Sequence, residues 1–254
     1  MLEILTLSLI QGITEFLPVS SSAHLIIFSE YFSFNNQSLS IDLSLHIGSF
    51  IAVVSYFHKD IINFIKNKEL FFKILLSSAP ILIVGFILVQ TDLIGKIRNI
   101  EVIAWTTIIF GLLLYLSDKY KLQKKIDSNL NYKSVIFIGL FQVMSLIPGV
   151  SRSGITITAA RFLKFKRVDA AKISFLLSIP TLGAVSIFGI TNLISTENLH
   201  ISMINLISIF FSFIFSLITI KYFLIYMKKF SLNLFVFYRI LLGLFLLLIS
   251  LYKI

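Results

Sequence analysis

The sequence has no cysteine, only four prolines and one tryptophan, and little charge: 13% of its 254 residues are Asp, Glu, Lys or Arg, against roughly 25% in a soluble domain. The missing cysteine excludes disulfides, thiolate nucleophiles and Cys-ligated zinc, and leaves the redox compartment unreadable. The scarcity of charge excludes water as the main solvent. What replaces charge is apolar: 57% of residues are hydrophobic and mean hydropathy is +0.95. The apolar residues form runs all round the helix, at lengths near the roughly 20 residues that cross a bilayer. The charge that remains is mostly of one sign, 22 Lys and Arg against 12 Asp and Glu, for a net +10. These cations fall in short loops and form no basic stripe interleaved with aromatics, so membrane topology accounts for them and a nucleic-acid partner is excluded.

Six uninterrupted spans are predicted, at 43–57, 71–90, 102–117, 173–192, 203–225 and 233–251. Two further apolar stretches, 1–32 and 134–162, are each broken by a proline followed by serines. Proline removes a backbone donor and clashes with the preceding turn, so each stretch is expected to be a re-entrant helix-break-helix hairpin. The first stretch ends in small residues like a signal peptide. Because it begins with Glu3 and is interrupted by Gln11, Glu15 and Pro18, it is expected to remain in the mature protein.

With both stretches re-entrant, the cations sort by face. The loops holding Lys59 to Lys73, Lys119 to Lys133, Lys164 to Lys172 and Lys221 to Lys229 carry sixteen basic residues, and the opposite face has Lys96, Arg98 and Lys253. The rich face is expected to be cytoplasmic. If one broken stretch crossed fully, every later loop would change sides and the asymmetry would largely vanish. The same count divides the chain into inverted halves, 1–117 and 134–254, each with one broken hairpin and three spans, within a single integral membrane domain. A Lys-rich cytoplasmic linker, 118–133, joins them. Gln11, Pro18 and Ser20 to Ser22 echo Gln142, Pro148, Ser151 and Ser153. Inverted halves with discontinuous helices place a polar site near the midplane. The expected fold is therefore an all-α polytopic membrane protein of six transmembrane helices and two re-entrant hairpins.

The first break reads QGITEFLPVSSSAHL, from Gln11 to Leu25. Gln11 and Glu15 share a helix face, Pro18 ends that arm, and the serines and His24 open the next, whose free N–H groups suit an anion. Isolated serines in membrane helices mostly pack. Glu15 argues for function, because an ionisable group in hydrocarbon costs about 2.5 kcal/mol or more. The second break reads PGVSRSGIT, from Pro148 to Thr156. Ser151, Ser153 and Thr156 surround Arg152, whose planar fork suits either phosphate or a structural ion pair with Glu15. An empty site with that pair and a loaded site with phosphate on Arg152 are compatible. Elsewhere, His46 reads as a packing histidine, Asp42, Glu30 and His58 as solvated span ends, Pro80 and Pro180 as kinks, Arg161 as a cation snorkelling to the cytoplasmic interface, and His200 as a loop residue.

At these two motifs the chain resembles the undecaprenyl-diphosphatase family, also known as the bacitracin-resistance protein family. Both signature segments are present in order and separation, and the similarity covers essentially the whole chain. The resemblance implies a bacterial plasma (inner) membrane enzyme that hydrolyses the lipid substrate undecaprenyl diphosphate to undecaprenyl phosphate and phosphate, recycling the carrier for peptidoglycan synthesis and conferring bacitracin resistance. It also implies a site opening to the outer, periplasmic side and a divalent cation, Mg²⁺ or Ca²⁺. Glu15, His24, Ser21 and Arg152 match the family's principal catalytic positions, with Ser20, Ser22, Ser151, Ser153 and Thr156 around them as substrate-binding hydroxyls. Glu15 with Gln11 would hold the cation. Gln11 stands where some members have Glu, so one carboxylate is absent, and Ala23 replaces a common Gly. Three roles stay open: attack by His24, attack by Ser21 with His24 as base, or activation of water by His24. A polyprenyl-phosphate transporter or flippase is the rival reading, because inverted repeats are more typical of transport. Membrane lipids are the other expected partners, and the sequence is compatible with a homodimer.

Overall fold

A computed structural model of the chain describes residues 1–32, 38–66, 68–91, 99–119, 124–195 and 203–252. The described residues form twelve α-helices and no strand: α1 Leu2–Thr14, α2 Ser21–Phe32, α3 Leu39–Tyr56, α4 His58–Lys66, α5 Lys68–Thr91, α6 Ile100–Asp118, α7 Ile126–Asn129, α8 Tyr132–Val143, α9 Arg152–Phe162, α10 Arg167–Ser195, α11 Met203–Lys229 and α12 Asn233–Tyr252. Six are long and apolar enough to cross a membrane: Leu39–Tyr56, Lys68–Thr91, Ile100–Asp118, Arg167–Phe188, Met203–Lys229 and Asn233–Leu251. They coincide with the six predicted spans. The largest difference is at α10, whose first two turns carry Arg167, Asp169 and Lys172, a polar start that composition alone assigns to a loop. Pro80 and Pro180 lie inside α5 and α10.

Sequence signals set the starts of several helices. Ser38, Asn99 and Asn131 cap α3, α6 and α8, accepting from the backbone N–H of Ile41, Val102 and Ser134, which satisfies donors that helix starts leave free. Inside the bundle the helices meet through small residues. Gly12 of α1 and Gly48 of α3 leave no room for a Cβ against α11. Ser49 bonds Ser212 and Ser216 across that contact. Close backbone approach with buried hydroxyl pairs is how helices associate where lipid removes the hydrophobic drive. Large apolar side chains such as Phe86, Ile187 and Phe237 are exposed on the outside, where acyl chains would cover them.

Two features position the site. An aromatic chain runs through the core, with Phe16 edge-on to Phe175 at 5.3 Å, then Phe223 and Phe235, and it seats the first break against α10. The second feature corrects the expectation for Arg161. Its side chain is 0% exposed and pairs with Asp118 Oδ1 at 2.7 Å. Arg167 also bonds both oxygens of that carboxylate, and the Leu232 N–H donates to it. A buried carboxylate shared by two guanidiniums removes any need to reach the interface. His58 is exposed and bonds the Ser55 carbonyl, in keeping with a solvated span end. Lys96, Arg98, Lys121, His200 and Lys253 lie outside the described residues, as does part of the 118–133 segment; nothing is described of the Glu30 side chain.

Candidate active site

Both breaks end in the same unusual backbone step. Ser20, immediately before α2, has φ 75°, and Ser151, immediately before α9, has φ 72°. Non-glycine residues seldom adopt positive φ, and the cost of order 1–3 kcal/mol is found where a site imposes it. Each step ends in a serine pair, Ser20 with Ser22 at 3.3 Å and Ser151 with Ser153 at 3.2 Å. Ser151 also caps α9 through the Gly154 N–H. Gly149, at φ 88°, passes so close to α6 beside Thr106 that only glycine fits.

The steps bring the two motifs together around Glu15. Its carboxylate is 7% exposed and accepts from three side chains: Arg152 Nη2 to Oε1 at 2.9 Å, Ser21 Oγ to Oε2 at 2.6 Å and Gln11 Nε2 to Oε2 at 3.1 Å. Arg152 thus bridges two segments 137 positions apart in the chain. A small cleft opens beside this pair, lined by Thr14, Glu15, Ser20, Ser21, Ser22, Ser145, Ser151 and Arg152. Six hydroxyls, one guanidinium and one carboxylate suit phosphate oxygens.

The remaining predicted residues divide. His24 does not join the cleft lining. Its Nδ1 meets the Ser20 carbonyl at 2.7 Å, and a carbonyl only accepts, so Nδ1 carries the proton. Nε2 meets the Tyr238 hydroxyl, and the two rings are stacked within 10° of parallel. The Ser21 hydroxyl donates to Glu15. Ser153 donates to the Leu17 carbonyl and so fastens the two breaks together, and Thr156 donates to the Ser174 hydroxyl and the Arg152 carbonyl, fastening the second break to α10.

Three residues that sequence reasoning gave no site role also belong here. His46 of α3 lies 2.9 Å from the Gln11 amide and 3.9 Å from Glu15, a place that spacing could not indicate. Tyr238 holds His24. Arg239, 0% exposed, donates to the carbonyls of Thr107, Pro18 and Gly149, so one guanidinium ties both breaks to α6. No carboxylate stands within ion-pair distance of it among the described residues. An arginine at a fixed place in an apolar helix was the available signal.

The donors fit a divalent cation in part. Gln11 Oε1 is buried without a hydrogen-bond partner, beside the Glu15 carboxylate, and such oxygens suit hard cations. No group of three or more His, Cys, Asp or Glu side chains converges among the described residues. A cation here would therefore complete its shell with water and substrate oxygens, as Mg²⁺ commonly does.

Comparison with known proteins agrees with the motifs. Residues 4–245 match the family described as bacitracin resistance protein BacA. An undecaprenyl-diphosphatase of Pelagibacter ubique is 50% identical over 249 residues, 98% of this chain and 97% of that one. Proteins of the same name from Saccharophagus degradans and Aliivibrio salmonicida are 41% and 40% identical, covering 93% and 95% of this chain and the same shares of their own. On a match of this extent, with both signature breaks assembled around one cleft, the chain belongs to the bacitracin resistance protein BacA family.

Proposed function

We propose that the chain is a multi-pass membrane enzyme that hydrolyses undecaprenyl diphosphate to undecaprenyl phosphate and phosphate, recycling the lipid carrier for cell-wall synthesis and so opposing bacitracin. The observation that carries this reading is the Glu15–Arg152 pair at 2.9 Å on the rim of a hydroxyl-lined cleft. The Arg152 fork and the hydroxyls of Ser20, Ser21, Ser22 and Ser151 bind the diphosphate oxygens. Gln11 and Glu15 would hold Mg²⁺ or Ca²⁺. Such a cation offsets the charge on the transferring phosphoryl group.

His24 works through Nε2, which exchanges its Tyr238 partner for water, because its Nδ1 proton is committed to the Ser20 carbonyl. It takes the proton of a water that attacks the terminal phosphorus, the bridging P–O bond breaks, and the lipid monophosphate leaves with inorganic phosphate as the second product. Ser21 donates to Glu15 rather than to His24, which favours a ligand role for it. The test is cation-dependent phosphate release from a long-chain prenyl diphosphate in detergent micelles. His24→Ala is expected to lower kcat by about 10²–10⁴-fold. A transporter, having no two compartments to serve, would release no phosphate above background.

The site belongs to a bacterial plasma membrane protein whose halves, 1–117 and 134–254, are inverted repeats of one domain, each opening on a re-entrant hairpin. The matching positive φ at Ser20 and Ser151 supports this. So does the packing of α1 on α11 and of α8 on α5, equivalent partners if the halves correspond. In this arrangement the cleft opens outward and the 118–133 segment is cytoplasmic. The absence of native cysteine makes the topology testable: single cysteines at Ser38 and Asn99 should react with an impermeant reagent in intact cells, and one at Asn129 should not. Asn36 and Asn198, also expected on the outer face, lie outside the described residues. The reverse labelling pattern would sink the topology.

A further inference from the structure

We infer that His46 is a ligand of the catalytic cation, so that the site is a nitrogen-containing triad of Glu15, Gln11 and His46 rather than an all-oxygen site. This rests on the cation-dependent reading above and goes further, because nothing in the two motifs contains His46. The argument is geometric. Three polar groups from α1, the residue after it and α3 face one point. The Gln11 amide is 3.1 Å from Glu15 Oε2 and 2.9 Å from His46 Nδ1, and those two atoms are 3.9 Å apart. Ligands about 2.1 Å from a metal stand roughly 3.0 Å apart at octahedral corners and about 3.4 Å apart at tetrahedral ones. Two edges of the observed triangle, 3.1 and 2.9 Å, match octahedral corners, and the third, 3.9 Å, exceeds both spacings, so Glu15 and His46 must draw together around the ion.

The amide atom now at the Gln11 corner is Nε2, which donates to both neighbours. A half-turn about the last side-chain bond places Oε1 there instead, with almost no change of shape. Oε1 is at present buried without a partner, so the outer amide atom has no partner to lose in the turn. The inner contacts therefore decide the orientation. Without a cation they favour the amide nitrogen, and with one they favour the carbonyl oxygen.

The other imidazole of the site is otherwise engaged, since both nitrogens of His24 have partners in Ser20 and Tyr238. His46 meets only Gln11 and Glu15 through Nδ1 and is partly open on its outer side. One imidazole among oxygens moves the preference from Ca²⁺ towards Mn²⁺ or Co²⁺.

The experiment reads the ligand directly. Mn²⁺ is added to purified protein in detergent, and electron spin echo modulation is recorded for wild type, for wild type labelled with ¹⁵N-histidine, and for His46→Gln. The expected result is ¹⁴N modulation in wild type, its replacement by a ¹⁵N pattern on labelling, and its loss in His46→Gln, which still binds Mn²⁺ about tenfold more weakly. Bound Mn²⁺ with no nitrogen modulation in wild type overturns the inference and leaves the hydrolase reading intact, as does modulation unchanged in His46→Gln. If His46→Gln does not fold, ¹⁵N-histidine-labelled His24→Gln, which keeps His46 in the site, decides the matter: retained ¹⁵N modulation supports the inference and its loss overturns it. If Mn²⁺ does not bind and phosphate release is unaffected by a chelator, the cation itself is removed from the mechanism, and the ligand assignment with it.

Discussion

Glu15→Gln is expected to lower kcat/KM by at least about 10²–10³-fold, the scale seen when one preorganised polar contact to a reacting group is lost. The carboxylate is where three donors converge, from Gln11, Ser21 and Arg152. An amide there offers a donor group of its own against one of them and carries no charge to hold a cation. Arg152→Ala should be as damaging to activity and worse for folding, since it leaves a buried carboxylate without its counterion, a loss of about 3–5 kcal/mol.

The double variant separates the two contributions. Glu15→Gln with Arg152→Ala contains no unpaired buried charge, so its thermal midpoint in detergent should recover relative to Arg152→Ala alone, while phosphate release stays at the level of the worse single variant. Recovery of both together would mean that the pair is only an ion pair holding two breaks in place. Arg152→Lys keeps the charge without the planar fork, and should fall between wild type and Arg152→Ala, mainly through KM.

The parts of this site that sequence made legible are those whose signal is local. Proline followed by serines marks each break within a few residues, and apolar run length marks six spans. Glu15 and Arg152 stand out because charge in hydrocarbon is costly. The unread parts depend on partners distant in the chain. Arg161 looks free to snorkel until α6 supplies Asp118, 43 positions away. His46 is 35 positions from Gln11, and Tyr238 is 214 from His24, so no spacing rule relates them. Ser153 and Thr156 illustrate the converse. Their position in the motif suggests substrate contact, but rotation about the first helical turn aims both hydroxyls at groups inside the bundle.

Arg239→Met should have the largest effect on the architecture, with a fall in thermal midpoint and loss of nearly all phosphate release even though the side chain does not line the cleft. The guanidinium is fully buried and satisfies three carbonyls from three separate segments, Thr107 on α6 and Pro18 and Gly149 in the two breaks. Of these, the Pro18 and Gly149 carbonyls lie in the breaks, where helical donors are missing, and each buried acceptor left unpaired costs about 1–3 kcal/mol. Two of them amount to a sizeable part of the roughly 5–15 kcal/mol that a domain has in total. A soft apolar side chain of similar length fills the volume and supplies no donor. Arg239→Lys keeps the charge, but a single ammonium does not span three carbonyls in fixed directions, so stability should return in part. Activity should return less, because Ser20 and Ser151 hold positive φ only while both breaks are pinned. A thermal melt and a phosphate assay on the same detergent preparations decide it. An Arg239→Met protein with wild-type midpoint and wild-type turnover would show that the two breaks hold each other through Glu15 and Arg152 alone.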